Sequence, residues 1–207
     1  MMPTDATLLA RWRSGDQTAG QTLIARYYDV VKHFFVNKVS ASIEDLVQET
    51  FLKCVNSRDR LDDEDKFRSY LFTIAYNELR SHLRQNYRHG ERVDFGEMSL
   101  SDLSPEPVTM IVKRQERRLL LEGLRTIPFE YQVLLELHYW EKLKTEEMAQ
   151  VMKMPVGTIR SRLRRARELL ECTIDELALN PEALQTTKTL LDDWADLCRL
   201  ELEERGK

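Results

Sequence analysis

Apolar positions along the chain recur at three-to-four spacing, so almost every periodic segment reads as helix. Thr4 or Asp5 can cap a short helix carrying Leu8, Leu9 and Trp12, with Gly15 as its stop. Leu23, Tyr27, Val30, Val31 and Phe34 then line the core-facing stripe of a second helix. Ser42 and Asp45 have the spacing of a capping box, which opens a helix from Ile43 to Val55. The acids Asp62 to Asp65 supply negative charge at the start of a helix from about Lys66 to Gln85. No alternating strand pattern is present, and the expected fold is all-α.

Between Arg92 and Val108 the helical period breaks. Gly96, Ser99, Ser101, Ser104, Pro105 and Pro107 favour extended, solvated backbone there. The expected organisation is a helical domain over 1–91, a linker over 92–108, a second helical domain over 109–175 and an extension over 176–207. In the extension, Leu184, Leu190, Leu191, Trp194, Leu197, Cys198 and Leu202 form an apolar helical stripe backed by acids. That stripe suits a helix packed on the second domain, or an acidic cover that regulates a basic face.

Composition then removes whole classes of function. The 207 residues are 42% apolar, enough for real cores, yet no run approaches the ~20 residues needed to cross a bilayer. The N-terminus lacks a basic segment followed by an apolar one, so no secretory signal is expected. Cys54, Cys172 and Cys198 are widely spaced without a CxxC pair, which fits a reducing cytoplasm and argues against disulfides or zinc. His33, His82, His89 and His138 are scattered, with His33 and His138 in apolar stretches that mark core edges. No phosphate loop or nucleophile elbow occurs, so no enzyme, metal or cofactor is expected.

The formal net charge of −4 looks wrong for a nucleic-acid binder until it is mapped. From Lys153 to Arg167 there are six bases (Lys153, Arg160, Arg162, Arg164, Arg165 and Arg167) and no acid, which leaves no ion pairing inside that stretch. From Thr173 to Lys207 nine acids face four bases. A basic block beside an acidic one suggests that one meets phosphate and the other meets protein or solvent.

The basic block sits in a helix-turn-helix pattern. Thr145 caps a short helix whose Met148, Ala149 and Met152 face inward, and Pro155 precedes a second helix opened by Val156 to Thr158. In that helix Ile159, Leu163 and Ala166 mark the buried side, while Arg160, Ser161 and Arg164 point outward. A second helix of this kind enters the major groove, where arginine suits both guanine edges and phosphates.

Two more helices carry unusual faces. Ile43, Val47, Phe51, Cys54 and Val55 form the buried side of one; Asp45, Gln48, Glu49 and Asn56 ring an outward Leu52 on the other. An apolar residue among acids and amides suits a basic protein partner, although a single surface leucine is also ordinary. The Lys66–Gln85 helix has a core arc of Phe67, Leu71, Ile74, Ala75 and Leu79. Thr73, Asn77, Arg80 and Arg84 lie opposite, with Tyr76, Tyr87 and Arg88 nearby. Interleaved aromatics and arginines suit unstacked single-stranded bases, or the tyrosines simply cover the domain edge.

Taken together, these segments resemble the extracytoplasmic-function (ECF) type of RNA polymerase sigma factor in the sigma-70 family. Glu44 to Leu52 is similar to the family's core-polymerase-binding helix, Tyr70 to Arg84 to its promoter-melting helix, and Pro155 to Leu169 to its recognition helix. The likeness runs from about residue 5 to 172. It implies two helical domains, of sigma region 2 and region 4 type, and no covalent chemistry. It implies that Asp45, Gln48, Glu49 and Leu52 dock on the β′ clamp of core RNA polymerase. Asn56, Arg58, Tyr76, Asn77, Arg80 and Arg84 would meet the melted minus-ten element of promoter DNA. Thr158, Arg160, Ser161, Arg162, Arg164 and Arg165 would read the duplex minus-thirty-five element, with the β flap as a second contact of that domain. An anti-sigma protein is admitted as a further partner. Tyr76, Ser81, Gln132 and Lys153 depart from the residues usual in the family, which are Arg, Asp, Arg and Gly. If the turn needs left-handed backbone at Lys153, the lysine costs about 1 kcal/mol. The competing reading is a helix-turn-helix regulator that binds DNA without docking on polymerase.

Overall fold

The computed structural model describes residues 3–36, 38–39, 42–61, 66–86 and 115–177. The expected linker over 92–108, Tyr87 and Arg88, the acids at 62–65 and the tail beyond Leu177 lie outside the described residues. Eight α-helices are present among the described residues and no strand, as the periodicity requires. They are α1 (Asp5–Arg13), α2 (Gln17–Val36), α3 (Ile43–Ser57), α4 (Phe67–Asn86), α5 (Gln115–Thr126), α6 (Phe129–Tyr139), α7 (Thr145–Met152) and α8 (Val156–Leu177). A 3₁₀ turn over Arg58–Arg60 follows α3. The chain divides into two compact units, with α1 to α4 in the first and α5, α6 and α8 in the second.

The first unit begins as its caps dictate. The Thr4 hydroxyl accepts the Thr7 amide at 3.2 Å, and Gly15, at φ 102°, lets the chain reverse after α1. The Asp16 carboxylate then accepts the amides of Thr18 and Ala19 at 3.0 and 3.2 Å, capping α2. Bonds from the Thr18 hydroxyl, then Arg11, then the Ala19 amide hold its carboxyl down at about 2. Helices α1 and α2 meet at Gly20, where a Cβ would fall 2.4 Å from the Trp12 indole. The expected stripe on α2 is buried at Leu23, Tyr27, Val31 and Phe34; Phe35 joins it and Val30 is half-buried. The Phe34 ring meets Phe35 and Phe72 edge-on at 5.5 and 5.6 Å, so α4 closes over α2 through aromatics.

Helix α3 packs against both α2 and α4. Its buried side differs from the expected one: Leu46 and Thr50 join Val47, Phe51 and Cys54, while Ile43 and Val55 are half-buried. Contact on two flanks widens the buried arc beyond the stripe that a single neighbour would need. The capping box expected at Ser42 does not form. Ser42 sits in left-handed backbone (φ 63°) without a side-chain cap bond, so Glu44 and Asp45 favour the first turn by charge alone. Cys54 and Cys172 are free thiols, and burial pushes the Cys54 thiol up to about 12.

In the second unit α8 packs on α5 and α6. Gly123 of α5 admits Leu170 and Ile174 of α8 to within 3.2 and 3.3 Å of where a Cβ would stand, so the two helices pack closely there. Gln132 of α6 is fully buried and donates to the Glu136 carboxylate at 2.9 Å, a polar pair among that helix's buried apolar residues. Helix α7 starts at Thr145, and the Glu147 carboxylate accepts the Lys144 amide at 2.7 Å. The cap therefore lies one residue ahead of the expected Thr145. Lys153 adopts φ 55°, so the turn does require left-handed backbone where this chain has lysine.

Candidate functional site

Three solvent-facing surfaces collect the residues singled out by sequence, two on the first unit and one on the second. On α8, Ile159, Leu163, Ala166, Leu170 and Ile174 are buried at helical spacing, which fixes the opposite face. Arg160, Ser161, Arg164 and Arg165 occupy that exposed face, and the three arginine side chains are 66%, 76% and 58% exposed. The expectation that this stretch lacks ion pairs is corrected by its neighbours. Glu168, one residue beyond the run, pairs with Arg164 and Arg165 at 2.9 and 3.3 Å, and Glu146 of α7 pairs with Arg160 at 3.1 Å. The Glu146 carboxyl is held below its usual range by its own backbone amide, the Thr145 hydroxyl and Arg160. Pairs this exposed contribute little to stability, and a guanine edge or phosphate can take the arginines over.

The remaining members of that set do other work. Arg162 is half-buried and hydrogen-bonded to Glu130 of α6, which ties α8 to its neighbour rather than presenting a free cation. Thr158 is half-buried, and its carbonyl accepts the Ser161 hydroxyl at 3.0 Å. Arg167 reaches His138 Nε2 at 3.2 Å and lies over the Tyr139 ring at 5.3 Å. His138 and His33 are half-buried, at core edges as expected.

On α3, Asp45, Gln48 and Glu49 are exposed, and Leu52 stands among them at 50% exposure. Among the described residues, Asp45 and Glu49 have no ion-pair partner, whereas Glu44 and the nearby Lys53 are engaged by Lys32 and Glu78. Sequence reasoning missed Tyr28 of α2, which is 41% exposed and stacked on Phe51 with centroids 6.2 Å apart. Nothing in the Tyr27-Tyr28 doublet marks which ring faces outward, since neighbours on one helix are both buried at Phe34 and Phe35.

The end of α3 and the outer side of α4 form the third surface. Asn56, Asn77 and Arg84 are exposed, and Arg80 is half-buried. Tyr76 overturns its expected placement. It is 1% exposed, in the core, with the Arg80 guanidinium over its ring at 5.5 Å, so no base can stack on it. The reason is again width: α4 buries Phe72 and Tyr76 as well as Leu71, Ala75 and Leu79, while Ile74 moves out to a half-buried flank. Arg58 is likewise half-buried, with its guanidinium over the Trp12 ring at 5.1 Å.

Comparison with known proteins agrees with this layout. The Sigma-70 region 2 family model matches residues 23–89 and the Sigma-70 region 4 model matches 117–170, so each unit carries one. An ECF RNA polymerase sigma-E factor of Haemophilus influenzae is 31% identical over 185 residues, covering 84% of this chain and 97% of the relative. Its counterpart in Escherichia coli is 28% identical over 184 residues, with 84% and 96% covered. Among solved structures, CnrH in complex with the cytosolic domain of CnrY shares the fold at TM-score 0.59 and 23% identity, over 84% of this chain and 99% of that one. The sigma factor RpoE of Bartonella quintana, solved with the anti-sigma factor NepR, does so at TM-score 0.56 and 21% identity, over 79% and 99%. No described helix is long and apolar enough to cross a membrane. With one sigma region on each helical unit and relatives matched over nearly their whole length, the chain belongs to the sigma-70 family as an ECF-type RNA polymerase sigma factor.

Proposed function

We propose that this sigma factor docks on core RNA polymerase through the α3 face of Asp45, Gln48, Glu49 and Leu52. That surface offers an apolar centre in a ring of acids and amides, complementary to a basic helical partner such as the β′ clamp. Asn56, Asn77 and Arg84 meet the melted minus-ten strand; Tyr76, Arg58 and Arg80 act behind them as packing residues. Arg160, Ser161, Arg164 and Arg165 read the minus-thirty-five duplex, with Thr158 at the helix start and Arg162 as a tie to α6. Melting is driven by binding energy, as extruded bases exchange stacking in the duplex for contacts with protein. Residues 92–108 link the two DNA contacts, and an anti-sigma protein competes for the same faces.

The observation that carries this reading is an acidic face centred on Leu52 and an arginine face on α8 in one chain, on separate helical units. A regulator acting without polymerase has a use for the second but none for the first. The test mixes the purified chain with core RNA polymerase: stoichiometric co-purification and transcription from promoters found by transcript sequencing are expected. Duplex binding without co-purification would replace the proposal with the regulator. Deleting 178–207 and repeating both assays tests whether the tail regulates, because unchanged binding and transcription would reduce it to a packing element.

A further inference from the structure

The segment leaving α3 is gripped from two sides. Arg13, the last residue of α1, donates through Nε and Nη2 to the Arg58 carbonyl at 3.1 and 2.6 Å, and through Nη2 to the Leu61 carbonyl at 2.5 Å. Its neighbour Trp12 lies under the Arg58 guanidinium, which also donates to the Val55 carbonyl at 3.0 Å. From α4, the Tyr70 hydroxyl lies 3.0 Å from the Ser57 carbonyl and 2.5 Å from the Ser57 hydroxyl. Carbonyls at the end of a helix have no partner within it, and a cation is favoured beside them. One guanidinium satisfies two of these carbonyls three residues apart, which fixes their separation as well as their charge.

Packing alone does not call for this arrangement. Helix α1 is already anchored by Leu8, Leu9 and Trp12, each nearly fully buried, whereas Arg13 is half-buried and donates to two main-chain carbonyls. Arg13 also lies ahead of residues 23–89, so the region 2 match assigns it nothing. What it fixes is the backbone immediately after Asn56.

We propose that Arg13 is a positioning residue for strand capture: its clamp on the Arg58 and Leu61 carbonyls sets the register in which the end of α3 meets the melted minus-ten strand. The inference rests on the strand-capture reading above and adds α1 to its machinery. A surface that receives extruded bases must be held in place beforehand, and a displacement of about 1 Å can cost on the order of 100-fold.

The experiment compares full-length wild type, Arg13→Gln and Arg13→Lys in holoenzyme. Promoter opening is read by permanganate reactivity of unpaired thymines, alongside core association, minus-thirty-five duplex binding and Tm. Lysine keeps the charge but is a point donor that cannot hold two carbonyls at a set distance. We expect opening to fall at least about tenfold in Arg13→Gln. In Arg13→Lys it should fall by a smaller factor, with core association and duplex binding within about twofold of wild type in both. Unchanged opening, or a parallel loss of Tm and of every binding activity in both variants, would overturn the inference. The combined variant Asn56→Ala, Asn77→Ala and Arg84→Ala separates the two layers. If it opens promoters normally, the strand-capture reading fails and this inference with it. If it is impaired while the Arg13 variants are not, only the inference fails.

Discussion

The arginines singled out on the two units are held in different ways. On α8 the guanidinium groups of Arg160, Arg164 and Arg165 stand in solvent and lean on exposed carboxylates. In the first unit Arg13, Arg58 and Arg80 are folded back onto main-chain carbonyls and aromatic rings. A cation held by an exposed carboxylate can exchange it for a phosphate or a base at little cost. One engaged by carbonyls or rings in a half-buried place loses packing when it leaves. Counting arginines therefore does not separate cations free to exchange partners from cations held in packing; the partner that each one already has does.

The largest expected effect is at Tyr76. As a core residue it should cost the first unit about 3–5 kcal/mol when changed to Ala, read by chemical denaturation, whereas Arg84→Ala on the exposed side of the same helix should leave stability within about 0.5 kcal/mol. Next comes the acidic face. Leu52→Asp should weaken core association by at least about 30-fold in a binding titration, with the helical circular dichroism and Tm of wild type retained, because the leucine stands half in solvent outside the buried side of α3. A smaller effect is expected on α8, where Arg165→Ala should weaken minus-thirty-five binding by about 1–3 kcal/mol and reduce the salt dependence of the complex.

Lys153→Gly sharpens the account of the turn. Relieving left-handed backbone at a non-glycine residue should stabilise the helix-turn-helix by up to about 1 kcal/mol, seen as a rise in Tm of several degrees. The smallest change concerns Asp16. Its folded carboxyl, near 2 against an ordinary 3.8, contributes stability that is present above about pH 4 and lost as pH falls through about 2. The Tm advantage of wild type over Asp16→Asn should therefore vanish across that acid window and be constant at neutral pH.

Much of the outward chemistry was legible in the residues. Leu52 among Asp45, Gln48 and Glu49 is exposed as the wheel of α3 requires, and Arg160, Ser161, Arg164 and Arg165 share one face because Ile159, Leu163 and Ala166 take the other. Ion pairing was not legible, because Glu146 comes from another helix and Glu168 stands one residue past the run that drew attention. Ser42 misled because a capping box is a spacing rule, whereas the bond also needs a backbone conformation that Ser42, in left-handed backbone, does not have.

The sequence by itself determined the helical class, two helical units, the buried stripes of α2 and α8 and the sign of each exposed face, because helical periodicity and charge are properties of neighbours along the chain. Only the tertiary structure decided how wide each buried arc is, and hence that Tyr76 is core. It alone decided that Arg58 rests on Trp12 and that Arg13 grips the end of α3. Those outcomes depend on which helices flank a given one, and contacts between residues some fifty positions apart leave no local period to read.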